Sequence, residues 1–364
     1  MSETQFSQIL EQTTPQDNKS QENRKKLSVT VLGGGSFGTA MANLAARNGC
    51  NTVMWIRDPQ TALEIQESRV NKRYLPDFTL ETSLTITSDI QEAVTGCDII
   101  LVAIPSHSFR DVLRQIAPMI TQQVVVSLTK GIEKDTFNFM SDIIRQELPE
   151  VPYGVLSGPN LAKEIMQGMP AGTVIASESE QLRNAVQHAL HSALFRVFAS
   201  DDVHGVELGG ALKNIYAVAM GLASAYQVGE NSKSMLITRA LAEMSRFAVK
   251  LGANPLTFLG LSGVGDLYAT CNSPLSRNYQ VGYALGQGKT LDEAVTALGQ
   301  TAEGINTIIQ VRGRAEELDV YMPITNALYE VIFAGAPALT VALSLMKNGH
   351  RSDVEFVLPH QKLS

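Results

Sequence analysis

A run of glycines directly after the first apolar segment constrains the fold of this chain more than any other feature. The apolar, β-branched residues 28–32 are followed by Gly33, Gly35 and Gly38 in the spacing GxGxxG, and then by an amphipathic stretch over 39–48. In such a loop the first glycine permits a tight turn, the second lets the backbone approach a pyrophosphate, and the third lets helix and strand pack closely. The strand, turn and helix context therefore predicts a dinucleotide site with its diphosphate at the helix start.

Short apolar segments alternate with longer amphipathic ones from Leu27 onward, which predicts βαβ units around a parallel, doubly wound sheet. The predicted strands cover 28–32, 52–56, 84–87, 98–104 and 124–128, with further short strands near Val155, Val174 and Phe195. After His204 the strand signals disappear, and the predicted helices cover 205–226, 234–251, 291–297 and 325–333.

We therefore predict an α/β plus all-α protein, in which a Rossmann-type sheet is followed by a helical domain. The predicted segments are a disordered extension (1–26), a dinucleotide-binding Rossmann domain (27–202), a helical substrate-binding and catalytic domain (203–348) and a C-terminal tail (349–364).

The composition is that of an ordinary globular protein, with 44% apolar and 18% charged residues and a net charge of -7. This charge argues against the broad basic face that nucleic-acid binding requires. Cys50, Cys97 and Cys271 are scattered without CxxC spacing, so neither a disulfide framework nor a metal site is expected. No apolar stretch approaches the roughly 20 residues of a membrane span. We expect a cytoplasmic protein without a membrane anchor, and a homodimer is compatible with the sequence.

The second predicted strand ends in Arg57 and Asp58, and this pair bears on the choice of coenzyme. At that position an acidic residue binds the ribose 2'-hydroxyl of NADH, whereas an arginine accommodates the 2'-phosphate of NADPH. Arg57 comes first, which favours NADPH and leaves NADH open. Asp58 precedes Pro59 and is interpreted more simply as the N-cap of a helix.

Lys213 lies in an otherwise apolar predicted helix, where a lysine is seldom placed without a partner. Burial lowers the pKa of a lysine toward neutrality and so suits it to proton transfer. The neighbouring Gly209, Gly210 and Ala217 are small, and we expect them to let a ligand approach the amine. A lysine at a helix edge that extends its amine to solvent is the simpler alternative.

Three polar clusters fall where loops are expected to converge on the cofactor. Thr129-Lys130-Gly131 ends the fifth strand, 157–160 (Ser-Gly-Pro-Asn) precedes a helix, and Ser276-Arg277-Asn278 follows a proline-containing turn. Backbone donors at a helix start and an arginine fork both suit an anion such as a phosphate.

Six motifs in this order resemble those of bacterial NAD(P)-dependent glycerol-3-phosphate dehydrogenase, and the resemblance runs from about Leu27 to about Asn348. They are GGGSFGTA from Gly33, SLTKGIE from Ser127, SGPNLAKE from Ser157, ELGGALKN from Glu207, GVGDL from Gly263 and SRNY from Ser276. The resemblance implies reversible reduction of dihydroxyacetone phosphate to sn-glycerol 3-phosphate with NADPH or NADH, supplying phospholipid synthesis.

The resemblance also implies roles for individual residues. Lys213 is the implied catalytic proton acceptor, and Lys130 is implied to touch both cofactor and substrate. Further implied cofactor contacts are Ser36, Phe37, Arg57, Ala162, Arg277 and Glu303, and the implied substrate contacts are Gly158, Asn160, Lys213, Asp266, Ser276, Arg277 and Asn278. Asn160 stands where the family pattern leads us to expect a serine, and both side chains can form hydrogen bonds.

Two other functions fit parts of this pattern. A related two-domain dehydrogenase acting on a hydroxy acid would carry a carboxylate-binding pocket, and a non-catalytic NADPH sensor would lack the acid-base lysine. His107 follows a strand end and is interpreted as a polar surface group, and His188 with His191 as part of a solvated face. Cys271 is interpreted as a small apolar packing residue.

Overall fold

The structure is a computed structural model that describes residues 26–298 and 303–348. The predicted C-terminal tail and all but Lys26 of the predicted disordered extension lie outside these ranges. Within them, no helix is long and apolar enough to cross a membrane.

A single eight-stranded sheet forms the N-terminal half, in the order β3-β2-β1-β4-β5-β6-β7-β8. Its strands are β1 Ser28–Leu32, β2 Asn51–Trp55, β3 Thr85–Thr87, β4 Ile99–Val102, β5 Val124–Ser127, β6 Tyr153–Ser157, β7 Ala171–Ala176 and β8 Phe195–Ser200. The residues of β4 are all buried, as expected for a strand with helices on both sheet faces. The predicted doubly wound sheet is confirmed.

One strand pair departs from the all-parallel expectation, because β7 runs antiparallel to β6. The helix between them, Ala162–Met166, has only five residues. After this connection β7 runs back beside β6, and β8 then pairs parallel to β7.

Fifteen α-helices lie in the described ranges. They are α1 Ser36–Arg47, α2 Pro59–Ser68, α3 Ile90–Val94, α4 Ser106–Ile116, α5 Met140–Glu147, α6 Ala162–Met166, α7 Glu180–Leu190, α8 Val203–Ala225, α9 Glu230–Lys250, α10 Asp266–Asn272, α11 Arg277–Gly286, α12 Leu291–Leu298, α13 Glu303–Glu317, α14 Pro323–Phe333 and α15 Ala338–Asn348. The four predicted helices of the second half correspond to α8, α9, α12 and α14, while α10, α11, α13 and α15 were not predicted. A turn of π-helix, Leu261–Gly265, leads into α10.

The long helix α8 is the centre of the helical domain, and it is buried without interruption from Gly205 to Gly221. It packs on α10, α11 and α13, and it also contacts β6 of the sheet. A Cβ on Gly221 would lie 2.0 Å from the Tyr279 carbonyl oxygen, so the backbones of α8 and α11 can meet only where a side chain is missing. This packing holds α8 between the sheet and the other helices of the helical domain.

Candidate active site

The glycine loop lies where β1 and β4 are neighbours and their following segments separate, which is the switch point at which doubly wound folds bind ligands. Gly33 has a φ of +120°, and a Cβ there would lie 2.4 Å from the Ala103 carbonyl oxygen. A Cβ on Gly38 would lie 2.1 Å from the Gly33 carbonyl oxygen. The first and third glycines therefore serve the turn and the helix packing, as predicted.

Gly35 has a different surrounding, which fits a bound diphosphate. A Cβ on Gly35 would meet no atom within 4 Å, and no side chain caps the first turn of α1. Because the first N–H groups of a helix lack partners within the helix and carry partial positive charge, they suit an anion. A cleft of about 750 Å³ opens in front of them. That volume lies within the roughly 300–1,000 Å³ of small-molecule sites.

Most of the predicted site residues line this cleft, although they come from both halves of the chain. They are Gly33, Gly35, Ser36, Phe37, Gly38, Arg57, Lys130, Asn160, Ala162, Lys213, Ser276, Arg277, Asn278 and Glu303. Gly158 and Asp266 lie behind this lining, where both bind Lys130.

Two lysines share one buried carboxylate at the base of the cleft. Lys213 Nζ donates to Asp266 Oδ1 and, at 2.6 Å, to Thr270 Oγ1. Lys130 Nζ donates to Asp266 Oδ2 at 2.6 Å and to the Gly158 carbonyl oxygen at 2.9 Å. Asp266 is 1% exposed. The Asp266 carboxylate therefore holds both ammonium groups in place from a buried position behind the cleft lining.

The environment of Lys213 tunes its acidity. The pKa of this amine is lowered to about 8: burial is the largest cause, the Asp266 carboxylate opposes it, and the charge of Lys130 adds to the lowering. At this pKa both the ammonium and the amine are populated near neutral pH. Such a group can donate or accept a proton under working conditions. The expected shift toward neutrality is therefore present.

The small residues beside Lys213 pack against protein, so the expectation that they admit a ligand is wrong for the two glycines. A Cβ on Gly209 would lie 2.3 Å from the Ser262 carbonyl oxygen of the π-helical turn. A Cβ on Gly210 would lie 2.5 Å from Ser157 Oγ at the end of β6. Their size lets α8 approach the sheet and the π-helical turn, which brings Lys213 to the cleft.

The loop after β6 presents polar groups with unused hydrogen-bonding capacity. Asn160 Nδ2 donates to Thr173 Oγ1 at 2.9 Å. Asn160 Oδ1 and Ser157 Oγ are buried without a hydrogen-bond partner in the described part of the chain. Buried polar atoms are rarely left unpaired, so Asn160 Oδ1 at the cleft wall is suited to accept from a ligand hydroxyl.

The segment that opens α11 carries three predicted residues with different surroundings. Ser276 Oγ caps α11 by accepting from the Tyr279 N–H at 3.3 Å. Asn278 Oδ1 accepts from the Gly304 N–H at 3.0 Å, which orients its amide toward the cleft. Arg277 lines the cleft and makes no hydrogen bond or ion pair with residues 26–298 or 303–348. The five N–H donors of the Arg277 guanidinium are therefore available to a phosphate.

At the coenzyme end of the cleft, Asp58 serves as the predicted helix cap. Its carboxylate accepts from the N–H of Thr61 at 2.8 Å and from the Thr61 hydroxyl, and these bonds lower its pKa. Arg57 is exposed and makes no hydrogen bond or ion pair with any other residue of the described ranges. Asp58 is thus bound to Thr61 of its own helix, whereas Arg57 lines the cleft with its donors unused.

The histidines and the cysteine that the sequence analysis did not assign to the site lie at the surface or in the core. His107 is exposed in the first turn of α4 at the cleft rim, and His188 and His191 are exposed. No group of three or more His, Cys, Asp or Glu side chains in the described ranges could hold a metal ion. Cys271 is buried in the apolar core of the helical domain, where burial raises its pKa to about 12.

Two polar residues of the site were missed in the sequence. Thr270 lies one helical turn after Asp266, and that spacing was a usable signal. Ser106 binds the carboxylate of Glu303 with its backbone N–H at 3.2 Å and its hydroxyl at 2.7 Å. Nothing in the local sequence around Ser106 indicates this partner, because the two residues are 197 positions apart.

The chain matches two family models that together cover both halves. Residues 28–183 match the N-terminal model of NAD-dependent glycerol-3-phosphate dehydrogenase, and residues 202–342 match its C-terminal model.

Sequence and structure relatives agree with these matches. A glycerol-3-phosphate dehydrogenase [NAD(P)+] of Acinetobacter baumannii (strain SDF) is 76% identical over 363 residues, covering 100% of each chain. One of Acinetobacter baylyi is 78% identical over 342 residues, covering 94% of this chain and 96% of its own. The crystal structure of glycerol-3-phosphate dehydrogenase from Coxiella burnetii superposes with a TM-score of 0.85 at 34% identity, covering 88% of this chain and 99% of its own. This chain belongs to the NAD-dependent glycerol-3-phosphate dehydrogenase family.

Proposed function

We propose that this protein reduces dihydroxyacetone phosphate to sn-glycerol 3-phosphate, reversibly, with NADPH or NADH and with Lys213 as the acid-base group. The observation that carries the proposal is the buried arrangement of Lys213, Asp266, Thr270 and Lys130 at the base of a cleft that begins at the glycine loop. A proton donor, a fixed second cation and a dinucleotide site in one cleft suit reduction of a ketone.

The proton chemistry belongs to Lys213. As an ammonium it polarises the ketone oxygen and donates its proton to the forming alcohol, and in the reverse direction the amine accepts the hydroxyl proton. Asp266 and Thr270 hold the amine in position through its other hydrogen bonds. Lys130, held by Asp266 and the Gly158 carbonyl, adds positive charge that stabilises the developing alkoxide.

The bound nicotinamide coenzyme supplies the hydride to C2 of the substrate in reduction and accepts it in oxidation. Arg277 binds the substrate phosphate with its guanidinium, so that binding energy remote from the reacting carbon orients C2. The unpaired Asn160 Oδ1 accepts from a substrate hydroxyl, and Asn278, which is held by the Gly304 N–H, also lines the cleft.

We further propose that the protein works in the cytoplasm as a homodimer and supplies the glycerol phosphate backbone of phospholipids. Leu339, Leu343 and Met346 are more than half exposed and follow the spacing of one helical stripe on α15. A second copy covering such a stripe would give a dimer. Light scattering of the purified protein would measure its mass, and a mass of one chain at micromolar concentration would contradict the dimer.

The test of the main proposal is oxidation of NADPH and of NADH with dihydroxyacetone phosphate, followed by the absorbance of the reduced coenzyme. Lys213→Ala is expected to abolish turnover while the dissociation constant for NADPH stays nearly unchanged. The matched control is Lys250→Ala, an exposed lysine at the end of α9.

Each alternative function has its own outcome in this assay. Activity with hydroxy acids but not with dihydroxyacetone phosphate would indicate the related class of dehydrogenase. Coenzyme binding without any turnover would indicate a sensor. A Lys213→Ala variant that keeps more than a few per cent of the wild-type rate would refute the acid-base assignment.

A further inference from the structure

A contact between the two halves of the protein lies at the edge of the cleft. Ser106 begins α4 just after β4, and Glu303 begins α13 of the helical domain. The Ser106 N–H donates to Glu303 Oε1 at 3.2 Å, and the Ser106 hydroxyl donates to Glu303 Oε2 at 2.7 Å. Ser106 is 5% exposed. One residue of the Rossmann domain thus fixes both oxygens of a carboxylate from the helical domain.

The start of α4 requires this external partner. The N-cap residue of α4 is Pro105, whose side chain has no hydrogen-bond acceptor, and α4 has no side-chain cap of its own. The first N–H groups of a helix lack partners within the helix, and a negative charge at that end is favourable. The Glu303 carboxylate therefore acts as the cap of α4.

A third segment leaves room for the contact. Gly131 follows Lys130, and a Cβ on Gly131 would lie 2.9 Å from Ser106 Cβ and 3.2 Å from Glu303 Oε2. Any side chain at position 131 would press on both partners. The loop that carries Lys130, the start of α4 and the start of α13 therefore meet at one point.

We propose that Ser106 is a positioning residue that holds Glu303 as a hydrogen-bond acceptor for the bound nicotinamide nucleotide. Each carboxylate oxygen can accept about two hydrogen bonds, and Ser106 uses one on each. Glu303 lines the cleft, so its remaining capacity is available to a hydroxyl or amide donor of the nucleotide. The inference rests on the coenzyme part of the proposed function.

The contact also couples the coenzyme to the proton donor. Glu303 belongs to the same helical domain as Lys213 and Arg277, whereas Ser106 belongs to the sheet whose glycine loop receives the diphosphate. The two hydrogen bonds from Ser106 orient Glu303 toward the nucleotide. The same two bonds join the Rossmann domain to the helical domain, which carries Lys213. Loss of the Ser106 hydroxyl should therefore weaken coenzyme binding before any chemistry occurs.

The experiment measures the dissociation constant for NADPH without substrate, using the fluorescence of Trp55. Trp55 is the only tryptophan in the chain and lines the cleft. Wild type, Ser106→Ala, Glu303→Ala and the double variant are compared. Ser106→Ala is expected to bind NADPH about tenfold more weakly, which corresponds to about 1.4 kcal/mol. Because Ser106 acts through Glu303, the double variant should bind no more weakly than Glu303→Ala alone.

The control separates this role from a loss of helix capping. Ser179 caps α7 by accepting from the Leu182 N–H at 3.2 Å, and it does not line the cleft. Ser179→Ala should lower the melting temperature as Ser106→Ala does, with an unchanged dissociation constant. Gly131→Ala leaves both partners in place but crowds them, and it is expected to weaken NADPH binding as well.

A Ser106→Ala dissociation constant within twofold of wild type would overturn the proposal, as would fully additive effects in the double variant. Failure of the proposed function is seen separately, since wild type would then bind NADPH and not reduce dihydroxyacetone phosphate.

Discussion

Replacing Asp266 with asparagine tests whether the shared carboxylate sets the acidity of Lys213. Asp266 Oδ1 accepts from Lys213 and Oδ2 from Lys130, and the residue is 1% exposed. The variant leaves two neighbouring ammonium groups without their counter-charge. Removing one partner of a buried ion pair costs about 3–5 kcal/mol. We use the lower end, because Asp266 divides its charge between two lysines.

The expected pKa follows from that energy. At about 1.4 kcal/mol per pKa unit, a loss of about 3 kcal/mol lowers the pKa of Lys213 by about 2. The wild-type value is about 8, so the variant is expected near 6. At pH 7 the ammonium fraction would fall from about 90% to about 10%. Reduction needs the ammonium, so kcat at pH 7 should drop about tenfold.

The assay is the pH dependence of kcat for dihydroxyacetone phosphate reduction between about pH 5.5 and pH 9.5. In wild type the rate should fall as the pH rises through about 8, because the ammonium loses its proton. The opposite direction needs the amine, so oxidation of glycerol 3-phosphate should rise through the same pH. In Asp266→Asn both limbs should move to lower pH by about 2.

A graded variant and a control accompany this test. Thr270→Val removes a neutral partner of Lys213 at 2.6 Å and should move the limb by less than about 1 pH unit. Asp292→Asn removes an exposed carboxylate on α12 and should leave the profile unchanged. Circular dichroism reports whether Asp266→Asn is folded, and Thr270→Val extends the test if it is not. A limb that stays within half a pH unit of wild type in folded Asp266→Asn would refute the reasoning, as would a larger shift in Thr270→Val than in Asp266→Asn.

Two further predictions concern the coenzyme and the stability of the fold. Arg57→Ala should weaken binding of 2',5'-ADP about tenfold or more and leave 5'-AMP unaffected, because only the former carries the 2'-phosphate; equal weakening of both would exclude a specific 2'-phosphate contact. Asp58→Ser keeps a capping oxygen for α2 and should change neither affinity by more than about twofold. Burial raises the pKa of Glu207 to about 7. Between about pH 4.5 and pH 7 the Glu207 carboxyl is therefore ionised in the unfolded chain and protonated in the folded protein, so the free energy of unfolding should fall with rising pH. Glu207→Gln should remove that dependence in urea unfolding and gain up to about 3 kcal/mol at pH 8, whereas an unchanged slope would show that Glu207 is ionised throughout.

The local features of this protein were determined by the sequence alone. The glycine loop, the cap formed by Asp58 and the placement of Lys213 in a buried helix each depend on residues within a few turns of one another. Such patterns encode backbone conformation and burial directly. The central strands were also recognisable, because strands buried on both faces, such as β4, are apolar throughout.

The partners of those residues were decided only by the tertiary structure. Asp266 lies 53 positions from Lys213 and 136 from Lys130, and Ser106 lies 197 positions from Glu303. Which side chains meet over such distances depends on how α8 packs between the sheet and the helical domain, and no local pattern specifies that packing. For the same reason the space beside Gly209 and Gly210, which we expected to admit a ligand, is occupied by Ser262 and Ser157. The sequence thus determined which groups are available for the chemistry, and the packing of α8 decided which of them share one carboxylate.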